Sequence, residues 1–309
     1  MLGITRSGVV VAGLVILAAV APAAAAGAST AGSSSRPQAA AALYYEAETT
    51  GGADAIDRLS LVGTPTVTQV VAVGHTNMFG LAVAGGFVYW TTETAPSGRG
   101  AIWRAPLAGG PPRRLVAGLS QPASLVAAHG ELYWDDETAI GRVALGGGRA
   151  DRRFLVLPEE TGGGVADGLA TDGRYLYFSR CEDDTIGRVH LNGTGIDQSL
   201  ITIANRSCAQ GLAVGGGHLY WTELGMGTIG RANLDGTHAN LRWLSVRSDQ
   251  GPFQIATDGV HVYWTWGGVA GSPSYTGRAN ANGSHLDRRF LTNSLFPMAL
   301  TGVAPAGSL

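Results

Sequence analysis

The sequence contains no lysine: its 21 basic residues are all arginine, set against 23 acidic ones for a formal net charge of −2. That balance argues against the basic face a nucleic-acid binder presents and against an acidic disordered tail. Charged residues make up only 14% of the chain. The exclusive use of arginine reads as the codon usage of a GC-rich bacterial genome rather than as chemistry. Cysteine is nearly missing, with two residues, and the seven histidines are scattered. No serine elbow, paired-acid motif or zinc spacing occurs, so catalysis has little support in the sequence. Long apolar runs are also lacking. The longest, Val9–Val20, falls short of the roughly 20 residues that a membrane span needs.

That run follows Arg6 and leads into Ala21-Pro22-Ala23-Ala24-Ala25-Ala26-Gly27-Ala28. A weakly positive start, a short apolar stretch and an A-x-A pattern describe a secretory signal peptide, with cleavage expected between Ala24 and Ala28. No cysteine follows the run, so no lipoprotein anchor is expected. The expected organisation is a signal peptide over 1–26, a flexible Ala/Ser/Gly-rich leader over 27–42 and one domain over 43–309.

What the chain has in abundance is glycine, 47 residues, without a collagen period. The remainder is a repeat. An aromatic pair recurs at Tyr44-Tyr45, Tyr89-Trp90, Tyr133-Trp134, Tyr177-Phe178, Tyr220-Trp221 and Tyr263-Trp264, at intervals of 45, 44, 44, 43 and 43 residues. Each unit offers four short runs of β-branched, aromatic or aliphatic residues, separated by turns such as Asn192-Gly193 and Asp235-Gly236. Four antiparallel strands in about 44 residues is the arithmetic of a propeller blade. The reading is all-β: a six-bladed β-propeller of four-stranded antiparallel blades. The first copy lacks a first strand, and Pro297–Val303 supplies a spare one, so the C-terminal strand is expected to join the N-terminal blade and close the ring.

The aromatic pair, followed by a strand such as Ile229-Gly230-Arg231-Ala232-Asn233-Leu234-Asp235-Gly236, resembles the YWTD (class B) repeats of low-density-lipoprotein-receptor-type propellers. The resemblance covers almost the whole domain and is best in the fifth copy. It implies a secreted bacterial six-bladed propeller and little about a ligand, because propellers host unrelated functions. The acid of the motif survives as Asp136 and Glu223 but is Thr92, Arg180 and Trp266 in copies two, four and six.

Every copy carries an arginine in its third strand: Arg58, Arg104, Arg142, Arg188, Arg231 and Arg278. Six equivalent positions point to structure, each arginine satisfying carbonyls or acids such as Asp136 and Glu223 between neighbouring blades. The aromatic pairs are read as core. Cys181 and Cys208 fall in loops on the same face, one blade boundary apart, and in an exported protein they are expected to form a disulfide. Closing that loop would be worth roughly 3 kcal/mol.

A site is expected at one mouth of the central channel, because the blades are committed to packing. From the first tyrosine of each pair to the repeated arginine there are 14, 15, 9, 11, 11 and 15 residues. The long loops of copies six, one and two (Glu46–Ala55, Thr92–Gly100, Trp266–Thr276) become neighbours in a closed ring. Trp266 and Tyr275 are candidate exposed contacts there. Residues entering the first strands, Phe79, Asp167, Gln210, Phe253 and Met298, are candidates to line the same mouth as a polar-aromatic pocket. Asp135-Asp136-Glu137 and Glu182-Asp183-Asp184 could hold calcium, but neither has the spacing of a calcium loop, so solvated loop charge is the expectation.

The leading functional reading is an exported, monomeric, non-enzymatic module that binds a protein, peptide or glycan at this mouth without a cofactor. Its alternative is a metal-dependent lyase or lactonase with the ion at the channel mouth. Streptogramin lyases and gluconolactonase-like propellers share the architecture, and neither set of site residues maps onto this chain. A third reading is a structural envelope protein.

Overall fold

The computed structural model describes residues 17–19, 42–48, 54–61, 64, 66–74, 77–94, 99–136, 139–157, 168–181, 183–203, 208–246, 251–267, 274–293 and 301–303. Among them every element but the short 3-10 turn Leu224–Met226 is a strand. The strands form six blades in a ring, a six-bladed β-propeller. Blade one holds Ala42–Glu48, Asp54–Ser60 and Val67–Gly74. Blade two holds Asn77–Ala84, Phe87–Thr94, Arg99–Pro106 and Arg113–Ser120. Blades three to six repeat this four-stranded antiparallel order, starting at Leu125, Leu169, Ala209 and Pro252. Thr301–Val303 lies beside Ala42–Glu48, in the place of the first strand that blade one lacks. The ladder it makes is a parallel one with Leu17–Ala19, from the apolar N-terminal run, which itself lies among the inner strands of the ring.

The repeat is a register rule. In every blade the first tyrosine of the pair faces the repeated arginine across strands two and three, from Tyr44–Arg58 to Tyr263–Arg278. In blades two to six the second aromatic faces an aliphatic residue of the first strand: Leu81, Leu125, Leu169, Leu212 and Ile255. Trp90, Trp134, Trp221 and Trp264 are essentially inaccessible. Truncating one such ring to alanine removes roughly 3–5 kcal/mol.

The glycine before the arginine follows from the same packing. A Cβ on Gly141, Gly230 or Gly277 would sit 2.2, 2.0 or 2.3 Å from the indole across the ladder, and one on Gly187 would sit 2.6 Å from Phe178. The large ring lies flat over the one residue with no side chain. Blades one and two depart from this, with Asp57 opposite Tyr45 and Trp103 opposite Trp90.

The arginines join blades by donating to carbonyls of the next blade. Arg104 Nη1 and Tyr89 Oη both donate to Leu145 O of blade three, at 2.6 and 3.2 Å. Arg188 and Tyr177 share Leu234 O in blade five, and Arg231 reaches Ala281 O in blade six. Each acceptor sits just after a third strand, in the turn toward the fourth, where the ladder leaves a carbonyl free. Desolvation raises the pKa of Tyr89, Tyr177 and Tyr263, so these phenols stay donors. Arg104, Arg142, Arg188, Arg231 and Arg278 also stack on an aromatic ring, 4.2–5.2 Å from its centre.

Candidate functional site

The first strands of blades two, five and six are broken by bulges at Met78/Leu81, Ala209/Leu212 and Pro252/Ile255. These bulges contain Phe79, Gln210 and Phe253, three of the expected mouth residues, and each is half-buried. A bulge frees one backbone N–H from the ladder and re-aims a side chain. Here the freed group is caught by the threonine that follows the aromatic pair. Gly80 N donates to Thr91 Oγ1, Gly211 N to Thr222 Oγ1 at 2.9 Å, and Gln254 N to Thr265 Oγ1 at 3.3 Å. The hydroxyl then donates onward to the next blade, Thr91 to Ala123 O and Thr222 to Phe253 O. Glycine permits this approach: a Cβ on Gly211 would lie 2.9 Å from Phe253 O. Gln210 and Phe253 are thereby placed on touching inner strands.

Blade six adds the aromatic rim. Pro252, Trp266 and Tyr275 are successive register partners across three strands, which sets Trp266 and Tyr275 side by side. The two rings are 5.8 Å apart and tilted at 51°. Trp266 Nε1 donates to Arg288 O at 3.0 Å, and the Arg289 guanidinium covers Tyr275 at 4.8 Å. Both rings are half-buried rather than freely exposed as the loop length suggested, because the blade's second and third strands extend through them. Asp167 and Met298 lie outside the described residues, as do Glu137, Glu182 and parts of the three long loops.

Cys181 and Cys208 form the expected disulfide, with Cα atoms 4.5 Å apart, joining the loop between strands two and three of blade four to the entry of blade five. Gln210 Nε2 donates to Cys208 Sγ at 3.0 Å, so the crosslink adjoins the bulge of blade five.

Two acids of these clusters, Asp135 and Asp183, are not solvated loop charge. Asp135 is 4% exposed and occupies the position that is Thr91, Thr222 and Thr265 in other blades, inside the strand Glu131–Asp136. Asp183 is paired with Arg180 at 2.5 Å. The residue after the aromatic pair is polar in all six copies (Glu46, Thr91, Asp135, Ser179, Thr222, Thr265), a signal readable in the sequence that points to this inter-blade joint. Glu46 is the extreme case: burial first, and the neighbouring Asp54 charge second, push its pKa well up.

Below the mouth the channel wall of blades three to six is made of small and aliphatic side chains, among them Val126, Leu169, Ala170, Leu212, Ala213 and Ala256. The hydroxyls of its two threonines, Thr171 and Thr257, are bound to Tyr175 O and His261 O. The pocket that these residues line has a volume of about 10 Å³ and holds one water at most. No group of three His, Cys, Asp or Glu side chains that could hold a metal occurs among the described residues.

No protein-family model and no curated protein sequence matches the chain. Solved structures do. A chain of the nidogen/laminin complex is 20% identical with a TM-score of 0.65, over 84% of this chain and 97% of that one. A putative 6-phosphogluconolactonase of Bacteroides uniformis is 15% identical with a TM-score of 0.55, covering 82% and 83%. A gluconolactonase of Xanthomonas campestris is 14% identical with a TM-score of 0.51, covering 73% and 84%. At these identities the likeness establishes the shared propeller fold.

Proposed function

We propose that the chain is an exported, non-enzymatic binding module that takes a protein, peptide or glycan at the disulfide-bearing mouth of its propeller. The observation that carries this reading is the bulged and aromatic group Phe79, Gln210, Phe253, Trp266 and Tyr275, held by threonine hydroxyls, a backbone carbonyl and a stacked guanidinium. Half-buried aromatic rings with their polar ends tied down offer contact area at little ordering cost. The similar nidogen/laminin chain comes from a protein–protein complex, which fits the same reading. The disulfide fits an oxidising compartment.

The test is binding of the purified domain to glycan and peptide arrays and to envelope proteins, repeated with Trp266→Ala and Tyr275→Ala. Aromatic contacts of this kind are worth about 2 kcal/mol or more, so affinity for the captured ligand falls at least about thirtyfold. Unchanged affinity in both variants removes the rim from the site.

The likeness to gluconolactonases favours one second reading, a metal-dependent lactonase with its ion at the mouth. The donor set among the described residues does not fit that ion, and no step is derived through it. Elemental analysis after exhaustive dialysis, with melts in chelator, separates the two. A stoichiometric metal whose removal lowers stability or lactone hydrolysis would overturn the binding-module reading.

A further inference from the structure

The outer edges of blades two and three meet in a seam. Arg152 of blade three donates to Ala117 O and Gly118 O of blade two at 2.6 and 2.8 Å, which ties the outer strand Asp151–Leu155 to the outer strand Arg113–Ser120. The turn of blade three joins them: a Cβ on Gly147 would lie 3.1 Å from Leu115. Four exposed arginines fall on this seam, Arg113, Arg149, Arg152 and Arg153. A groove of about 560 Å³ opens along Arg149–Arg153. The acid among its described lining residues, Asp151, is already engaged with Arg142 at 3.7 Å and with Arg153 N at 3.3 Å.

Blade six shows which of these arginines the scaffold needs. It repeats Asp151-Arg152-Arg153-Phe154 as Asp287-Arg288-Arg289-Phe290. Arg288 does the work of Arg152, reaching Val246 O and Ser245 O of the preceding blade. Arg289, however, is stacked on Tyr275, whereas Arg153 has no side-chain partner among the described residues. Arg113 and Arg149 are equally unengaged there, while Arg114 lies over Trp103 at 6.0 Å. Among the described residues, then, three guanidinium groups on this seam have no side-chain partner, in a chain whose net charge is −2.

We propose that this seam is a second binding surface, separate from the mouth, for a linear anionic polysaccharide. Guanidinium forks suit carboxylate and sulfate groups, which they grip with paired charge-assisted hydrogen bonds. The groove is open to solvent, which suits a chain rather than an enclosed small molecule. Among the described residues none of the exposed side chains is an aromatic ring, the platform on which single-stranded nucleic acid stacks.

The experiment measures binding of the intact domain to heparin and to polygalacturonate at rising salt. The double variant Arg149→Gln/Arg153→Gln is compared with Arg174→Gln/Arg242→Gln, which removes the same charge elsewhere. The proposal expects salt-sensitive binding that falls at least about tenfold in the seam variant and less than about threefold in the control, with both melting as wild type does. Absence of binding to either polysaccharide by the wild type overturns it. Equal losses in the two variants reduce it to net charge and also overturn it. Binding of single-stranded DNA or polyglutamate as tight as that of both polysaccharides overturns the assignment to a glycan. The mouth variants leave polysaccharide binding unchanged, so failure here is distinct from failure of the mouth reading.

Discussion

Replacing Gly230 by alanine tests the packing rule from which the whole ring is built. The added Cβ would sit 2.0 Å from Trp221 Cε2 and 2.3 Å from Cζ2, against an ordinary carbon–carbon contact of about 3.5–4.0 Å. The indole cannot simply slide away. It is fully buried, and its Nε1 donates to Glu223 Oε1 at 2.9 Å. Overpacking of this kind costs about 1–3 kcal/mol, and loss of a buried hydrogen bond to a charged group adds about 1.5–3 kcal/mol. The centre of the summed range is about 4 kcal/mol, which for a domain of this size lowers Tm by roughly 8–16 °C. Gly225→Ala is the matched control, because nothing lies within 4 Å of its Cβ and its backbone needs no positive φ. That variant should stay within about 0.5 kcal/mol of the wild type. Thermal melts followed by near-ultraviolet circular dichroism read both the stability and the indole environment. If Gly230→Ala melts with Gly225→Ala, the glycine is not there for the ring and the reasoning fails.

Glu46 makes stability fall with rising pH. Its folded pKa lies well above its ordinary value of 4.5, so the group binds its proton more tightly in the fold than in the unfolded chain. The stabilisation is complete below the ordinary value and is lost as pH rises through the raised one. Asp57, raised by burial, adds a change of the same sign. Glu46→Gln should match the wild-type Tm near pH 4 and exceed it near pH 8, and a constant difference across that range would count against the assignment. Opening the 27-residue loop with Cys181→Ser/Cys208→Ser should cost roughly 3 kcal/mol, seen as a loss of about 6–12 °C in Tm under non-reducing conditions. A melt unchanged by the double substitution would mean that the crosslink does not tie blade four to blade five.

Much of the scaffold was legible from spacing because a propeller is a repeated local rule. Tyrosine opposite arginine and a large ring over glycine are contacts within one blade, between strands joined by short turns, so a 44-residue period reports them directly. The disulfide was legible for the same reason, since Cys181 and Cys208 sit one blade boundary apart. Reading went wrong where strand length decided the outcome. Asp135 looked like loop charge but is held inside a strand, and Trp266 and Tyr275 looked like loop tips but are ladder partners. Nothing in the order of residues marked those extensions, because cross-strand pairing, not local propensity, lengthens a strand.

By itself, then, the sequence determined the blade count, the buried aromatic layers and the pairing of its two cysteines, all consequences of periodicity. Only the tertiary structure decided which carbonyls the repeated arginines hold, where three bulges place Phe79, Gln210 and Phe253, and how four arginines gather on one seam. Overall charge balance hid that last feature. Net charge is a sum over the chain, whereas the field at a surface depends on which residues the closing of the ring brings side by side.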